Sequence, residues 1–182
     1  MSKQFEARLT GSGGQGLILA AIILAEAASR AGNFVAQTQA YGPEARGGAS
    51  KAEVIISSEP IDYPKVTAPD VVLTMSEEAY RKYGVNCKDD CVLLVDSTNI
   101  ENTGANPKAI FLPLTQAAKE QLGTPIVANI VALGALNALT SIVKPDDLKD
   151  VVLERAPRGT EELNAKALQL GYSLAQTVDV DL

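Results

Sequence analysis

The chain has 182 residues, 46% of them hydrophobic, with 22 acidic against 16 basic side chains and a formal net charge of −6. That length and apolar content suit one core, so residues 1–182 are expected to form a single domain, and the acidic balance argues against a general nucleic-acid or anionic-membrane role. No histidine is present, which excludes a Ser-His-Asp or Cys-His machine and any imidazole metal site.

Met1 to Gln4 lead directly into a strand, so no cleaved leader is expected ahead of the fold. Phe5 to Thr10 alternates apolar and polar residues and predicts the first strand. Gly11-Ser12-Gly13-Gly14-Gln15-Gly16 follows, with Gly11, Gly13 and Gly16 at G-x-G-x-x-G spacing. Such spacing makes a tight turn, admits a diphosphate to backbone N–H groups and packs helix against strand. Gly14 to Ala31 predicts a helix that is apolar on nearly every side, closed by a left-handed cap at Gly32-Asn33, and Phe34 to Gln39 a second strand.

A second glycine-rich loop, Tyr41 to Gly48, leads into Ser50 to Ser57. There Ala52, Val54 and Ile56 share one face and Lys51, Glu53 and Ile55 the other, predicting a half-exposed strand. Val71 to Met75 and Val92 to Val95 are continuous apolar runs typical of central parallel strands. Ser76 caps a short helix between them, and Ala109 to Leu112 is a further short strand. Cys87 and Cys91 are too few for an iron–sulfur cluster and read as incidental thiols.

The remainder is mainly helical: Thr115 to Leu122, Ile126 to Val143 opened by Pro125, Pro145 to Glu154, and Thr160 to Ala175. Asn129, Asn137, Thr140 and Ser141 interrupt the apolar run of 126–143, so burial in a core or at a subunit interface is expected rather than a membrane span. Strand–helix alternation over the first two-thirds predicts an α/β layer fold with a mostly parallel sheet.

A nicotinamide site usually carries an acid at the end of the second strand, to bond the ribose hydroxyls. Here that strand ends Ala36-Gln37-Thr38-Gln39, and the nearest carboxylate, Glu26, lies inside the first helix. No Lys-Ser/Thr follows the glycines, so a nucleotide-hydrolysing P-loop is excluded as well. Alone, the glycine turn is equally consistent with plain strand–helix packing. The loop at 41–48 adds three glycines and a proline around Glu44 and Arg46, and is expected beside the turn over one crevice. Arg46 suits a bidentate contact to a phosphate or carboxylate, or a pairing with Glu44 that holds the loop. Asp96 to Asn99 reads as a cap or turn, and Glu154, Arg155 and Arg158 as solvated charges at a helix boundary.

In its two loops, in the Ala49 to Ile56 stretch that follows and in Val127 to Gly134, the chain resembles the gamma subunit of 2-oxoacid:ferredoxin oxidoreductases. The wording Gly42-Pro43-Glu44-Ala45-Arg46-Gly47-Gly48 looks most like the 2-oxoglutarate enzyme. The resemblance implies a Rossmann-like three-layer α/β fold with extra C-terminal helices, in a cytoplasmic complex that oxidatively decarboxylates a 2-oxoacid, transfers the acyl group to coenzyme A and reduces ferredoxin. It implies alpha and beta subunits as partners, with a ferredoxin-like delta subunit beside them. Thiamine diphosphate, Mg and iron–sulfur clusters would lie on those subunits, leaving this chain with no catalytic residue, no metal and no cofactor held alone.

Under the resemblance, Gly11, Gly13, Gly14, Gln15, Gly16 and Arg46 are the candidate cofactor-binding residues, holding coenzyme A or shaping the wall it enters through. Coenzyme A suits them because its diphosphate fits a glycine turn at a helix N-terminus, and its 3′-phosphorylated ribose needs no acid after the second strand. Two alternatives stand beside this: a purely structural subunit whose loops contact only alpha and beta, and the equivalent subunit of a pyruvate or branched-chain 2-oxoacid enzyme.

Overall fold

In the computed structural model, which describes residues 4–40, 48–84, 90–101, 106 and 108–178, the apolar runs assemble into one six-stranded sheet. Its strands are β1 (Phe5–Ser12), β2 (Phe34–Ala40), β3 (Ala49–Ser57), β4 (Val71–Thr74), β5 (Val92–Asp96) and β6 (Ile110–Leu112), in the order β2-β3-β1-β4-β5-β6. The helices are α1 (Leu17–Arg30), α2 (Glu77–Ala79), α3 (Leu114–Leu122), α4 (Ala128–Thr140), α5 (Pro145–Arg155) and α6 (Glu161–Ala175).

The expected parallel sheet is found in β1, β4, β5 and β6. The other side is an antiparallel hairpin, because β3 runs against both β1 and β2. The neighbour of β1 is therefore β3, not β2. Since β1 and β2 are each antiparallel to β3, they point the same way, and their C-terminal ends share one edge of the sheet.

Alternation sorts the strands into two faces. Ala7, Leu9, Ala52, Val54, Ile56, Val71, Leu73 and Leu94 pack under α1, α3, α4, α5 and α6. Val72, Leu93 and Val95 face the other way, against Tyr80 and Ile100, where α2 continues into a π-turn over Tyr80–Gly84. These are the three layers of a Rossmann-like fold, with α5 and α6 as its C-terminal additions.

The second face of β3 is not half-exposed as its alternation predicts. Glu53 is buried, accepting a hydrogen bond from Arg8 Nε at 2.7 Å and lying 3.0 Å from Lys51 Nζ. Arg8 also donates to the carbonyl of buried Val66 at 3.3 Å, on the segment that folds over this face. The charges are there because they neutralise one another under that cover, the arrangement a buried carboxylate requires.

The predicted helix over 126–143 begins as a 3₁₀ turn at Pro125–Val127, continues as α4 and ends at Ser141, whose φ is 51°. Every residue of α4 from Ala128 to Asn137 is buried, and the burial lies within this chain. No helix among the described residues is long and apolar enough to cross a membrane. Asn137 explains the stop. Its Nδ2 donates to the Val143 carbonyl (3.0 Å) and to the Tyr172 hydroxyl (2.6 Å), while its Oδ1 accepts the Val143 N–H (3.1 Å). Burial holds the Tyr172 hydroxyl above its ordinary pKa, partly offset by that bond from Asn137.

Helices α4 and α6 touch backbone to backbone. A Cβ added at Gly134 would run into the Leu168 carbonyl, and one at Gly171 into the Val131 carbonyl. Across α1 and α5, Arg30 donates to both Glu154 oxygens (2.8 and 2.6 Å) and to Glu26 (2.5 Å), which also accepts from Arg155 (2.6 Å). Of the charges predicted as merely solvated, Glu154 and Arg155 are thus exposed but paired between helices.

Replacing Gly171 with alanine should destabilise the chain by about 2–3 kcal/mol, seen as a Tm roughly 5–10 °C lower, because the obstacle is backbone that cannot turn aside. Hydrogen bonds from Arg155 and Arg30 hold the Glu26 carboxyl below its ordinary value of 4.5, and Arg30 does the same to Glu154. A carboxyl lowered on folding stabilises the fold above its unfolded value and loses that contribution as pH falls through the folded one. The stability gap between wild type and Arg30→Gln, measured by denaturant unfolding, should therefore be full at neutral pH and close as pH drops below 4.5.

Candidate functional site

At the sheet edge where β1 ends, residues 11–16 turn the chain into α1. Gly14 and Gly16 have φ of 91° and 74°, left-handed values that favour glycine, and Gly16 is the N-cap of α1 with no side chain to cap it. The first turn of α1 carries no acidic residue, so its unpaired N–H groups and positive dipole end are not neutralised by its own sequence.

The glycines divide into two kinds. The space a Cβ would take at Gly11 is filled by Gln15 Oε1 and Leu17 Cδ1, and the space at Gly16 by Asn129 Nδ2. Gly13 and Gly14 have nothing within 4 Å of an added Cβ. The outer glycines make room for the protein's own amides, and only the central pair is open where a Cβ would stand.

Gln15 turns inward. Its Oε1 accepts the Ser12 N–H at 2.7 Å, and its Nε2 donates to the Met75 carbonyl at 2.9 Å, just beyond β4. Asn129, at the start of α4, donates to the Gly16 carbonyl at 3.1 Å, and Ser50 of β3 donates to the Gly11 carbonyl at 3.1 Å. Sequence reasoning missed these roles for Asn129 and Ser50. Asn129 gave a signal, as a polar residue in an otherwise apolar run; Ser50 gave none, because its position depends on β3 lying beside β1.

Two clefts of about 290 Å³ each flank the turn. One lies between Ser12, Gly13, Ile18 and Ser50. The other lies between Gln15, Met75, Thr115 and Ile126, the last standing 83% exposed at its rim. Gly14 borders both.

The ends of the second glycine loop, Ala40 and Ala49, reach this same edge, Ala49 pairing with Ser12 in the sheet register. The residues flanking the loop reach this edge because β3 inserts between β1 and β2, and not because β1 and β2 are adjacent. Glu44 and Arg46 themselves lie outside the described residues, as does Cys87. Cys91 is buried in the cluster on the second face.

Asp96 proves to be the structural element its sequence predicts. It is fully buried and accepts from Thr98 N–H (3.1 Å), Asn99 Nδ2 (3.0 Å), Thr115 N–H (3.3 Å) and Thr115 Oγ1 (2.5 Å). With Thr98, which accepts the Gln116 N–H at 2.9 Å, it caps the start of α3. Among the described residues, no group of three or more His, Cys, Asp or Glu is placed to hold a metal ion.

Fold and site together define a Rossmann-like module whose glycine turn, at the C-terminal edge of its parallel strands, is braced from within by amides. The chain belongs to the pyruvate ferredoxin/flavodoxin oxidoreductase family, whose model matches residues 6–174. It is 49% identical over 176 residues to the 2-oxoglutarate synthase subunit KorC of Methanocaldococcus jannaschii, with 94% of each chain covered. Among solved structures, it superposes with a TM-score of 0.84 and 44% identity on the gamma subunit of a keto/oxoacid ferredoxin oxidoreductase from Geobacter sulfurreducens, covering 96% of this chain and 98% of that one. It also matches the 2-oxoglutarate:ferredoxin oxidoreductase of Magnetococcus marinus, solved with 2-oxoglutarate, coenzyme A and succinyl-CoA bound, at a TM-score of 0.85 and 25% identity. That match covers 98% of this chain but 32% of the other, so there the module is part of a longer polypeptide.

Because Gly11 and Gln15 share one space, their substitutions should not add. Gly11→Ala should lower the thermal midpoint by displacing the Gln15 amide, and should cost less when Gln15 is already alanine, since the remaining obstacle is the mobile end of Leu17. A double-mutant cycle by thermal unfolding measures this coupling, expected at about 1 kcal/mol.

Proposed function

We propose that this chain is the gamma-type subunit of a 2-oxoacid:ferredoxin oxidoreductase that converts 2-oxoglutarate and coenzyme A to succinyl-CoA and carbon dioxide, passing two electrons to ferredoxin, and that its glycine turn helps to hold coenzyme A. The observation that carries this reading is the 49% identity to a 2-oxoglutarate synthase subunit along 94% of both chains. Its working form is a cytoplasmic complex with alpha and beta subunits and a ferredoxin-like delta subunit.

Thiamine diphosphate with Mg, and the iron–sulfur clusters, supply the decarboxylation and the electron path. The described residues of this chain do not fit those groups, having no acidic or thiolate cluster to ligate them, so they are assigned to the partner subunits. Coenzyme A does fit. A diphosphate needs close backbone approach and unneutralised N–H groups, and Gly13, Gly14 and the first turn of α1 offer both. Arg46, on the loop that leads into Ala49, the sheet partner of Ser12, is assigned to a phosphate of the same ligand.

A ligand-free interface role is the competing reading, favoured by Ile126, whose exposed apolar side chain at the rim of one cleft suits a partner subunit. The two separate on one substitution. At Gly13 an added Cβ has nothing within 4 Å, and Gly13→Asp puts a carboxylate where the diphosphate would lie. In the purified complex it should raise the KM for coenzyme A roughly tenfold or more and leave the KM for 2-oxoglutarate unchanged, with Arg46→Ala acting in the same direction. An unchanged coenzyme A KM, or loss of assembly alone, would favour the interface reading. Turnover of pyruvate in preference to 2-oxoglutarate would reassign the substrate.

A further inference from the structure

We propose that Gln15 is the positioning residue of the coenzyme A site, an inference that rests on that site lying at the glycine turn. Gln15 does not act by touching the ligand: its Oε1 already accepts the Ser12 N–H and its Nε2 already donates to the Met75 carbonyl. Its own backbone N–H closes the turn onto the Ser12 carbonyl at 3.3 Å. The side chain is therefore an internal brace, and Gly11 lacks a Cβ because the Oε1 atom occupies that place.

The brace matters because a segment with four glycines in six residues has little conformational preference of its own. A diphosphate bound by backbone N–H groups gains affinity only if those groups are held in place before it arrives. Between Gly11 and Gly16, Gln15 supplies the side chain that does so, by tying the turn to the end of β4.

The tie extends further. The Met75 carbonyl also accepts from Asn99 Nδ2 at 3.3 Å, and Asn99 donates in turn to Asp96, the residue that fixes Thr115 at the start of α3. Gln15 thus connects the turn to the polar cluster that builds the Thr115 side of the neighbouring cleft. The Met75 carbonyl is the shared acceptor that links the turn to that side of the cleft.

The test uses the assembled oxidoreductase and the full 182-residue chain. Gln15→Met keeps the length and apolar volume of the side chain and removes both hydrogen bonds. It should expose the Ser12 amide to hydrogen exchange and raise the coenzyme A KM roughly tenfold, with kcat at saturating coenzyme A and the 2-oxoacid KM near wild type. If the Met variant does not assemble, the shorter and uncharged Gln15→Asn, which cannot span from Ser12 to Met75, is expected to give the same pattern. A coenzyme A KM that stays at the wild-type value in the assembled variant, while Gly13→Asp raises it, overturns the positioning role and leaves the site where it is. If Gly13→Asp also leaves it unchanged, the coenzyme A site itself is misplaced, and the positioning role falls with it.

Discussion

The fold is organised around a helix that has no outside. α4 is buried from its first residue to Asn137, so each polar or small residue on it must be met by something specific. Asn129 at one end meets the Gly16 carbonyl and fixes where α1 begins. Gly134 in the middle lets α6 come to backbone contact. Asn137 at the other end ties off the turn into α5 and holds the Tyr172 hydroxyl on α6. The site edge, the C-terminal helices and their mutual spacing all refer to this one element.

Much of this was legible in the sequence, because apolar runs and punctuating residues report local structure directly. The β4 and β5 runs are central parallel strands, and Asp96 to Asn99 is the cap and turn its composition predicts. Pairing between distant strands was not legible. Nothing in residues 50–57 says that they insert antiparallel between β1 and β2, nor that Arg8 comes from β1 to neutralise Glu53 beneath a covering segment. The limit of the long apolar helix was hidden for a similar reason: Asn137 ends it by bonding a residue past the stop.

The glycine turn shows how a motif can be right in spacing and incomplete in reason. Its pattern marked a candidate place, and its missing strand-two acid turned the reading away from a nicotinamide. Yet two of its three signature glycines are explained by Gln15 and Asn129 filling the space beside them. The residues with open surroundings are Gly13, which belongs to the pattern, and Gly14, which does not. The amide bracing holds the turn without any titrating group.

The shared space at Gly11 and Gln15 also limits how this sequence can drift. A side chain can enter at position 11 only after the amide at 15 has been given up, and giving it up first leaves Ser12 and Met75 without that partner. The two steps have a preferred order, because the collision at position 11 is smaller once the amide is gone. Intolerance of substitution at Gly11 therefore measures an internal collision and says nothing about distance from a ligand. A position can look like the heart of a binding site while never facing what is bound.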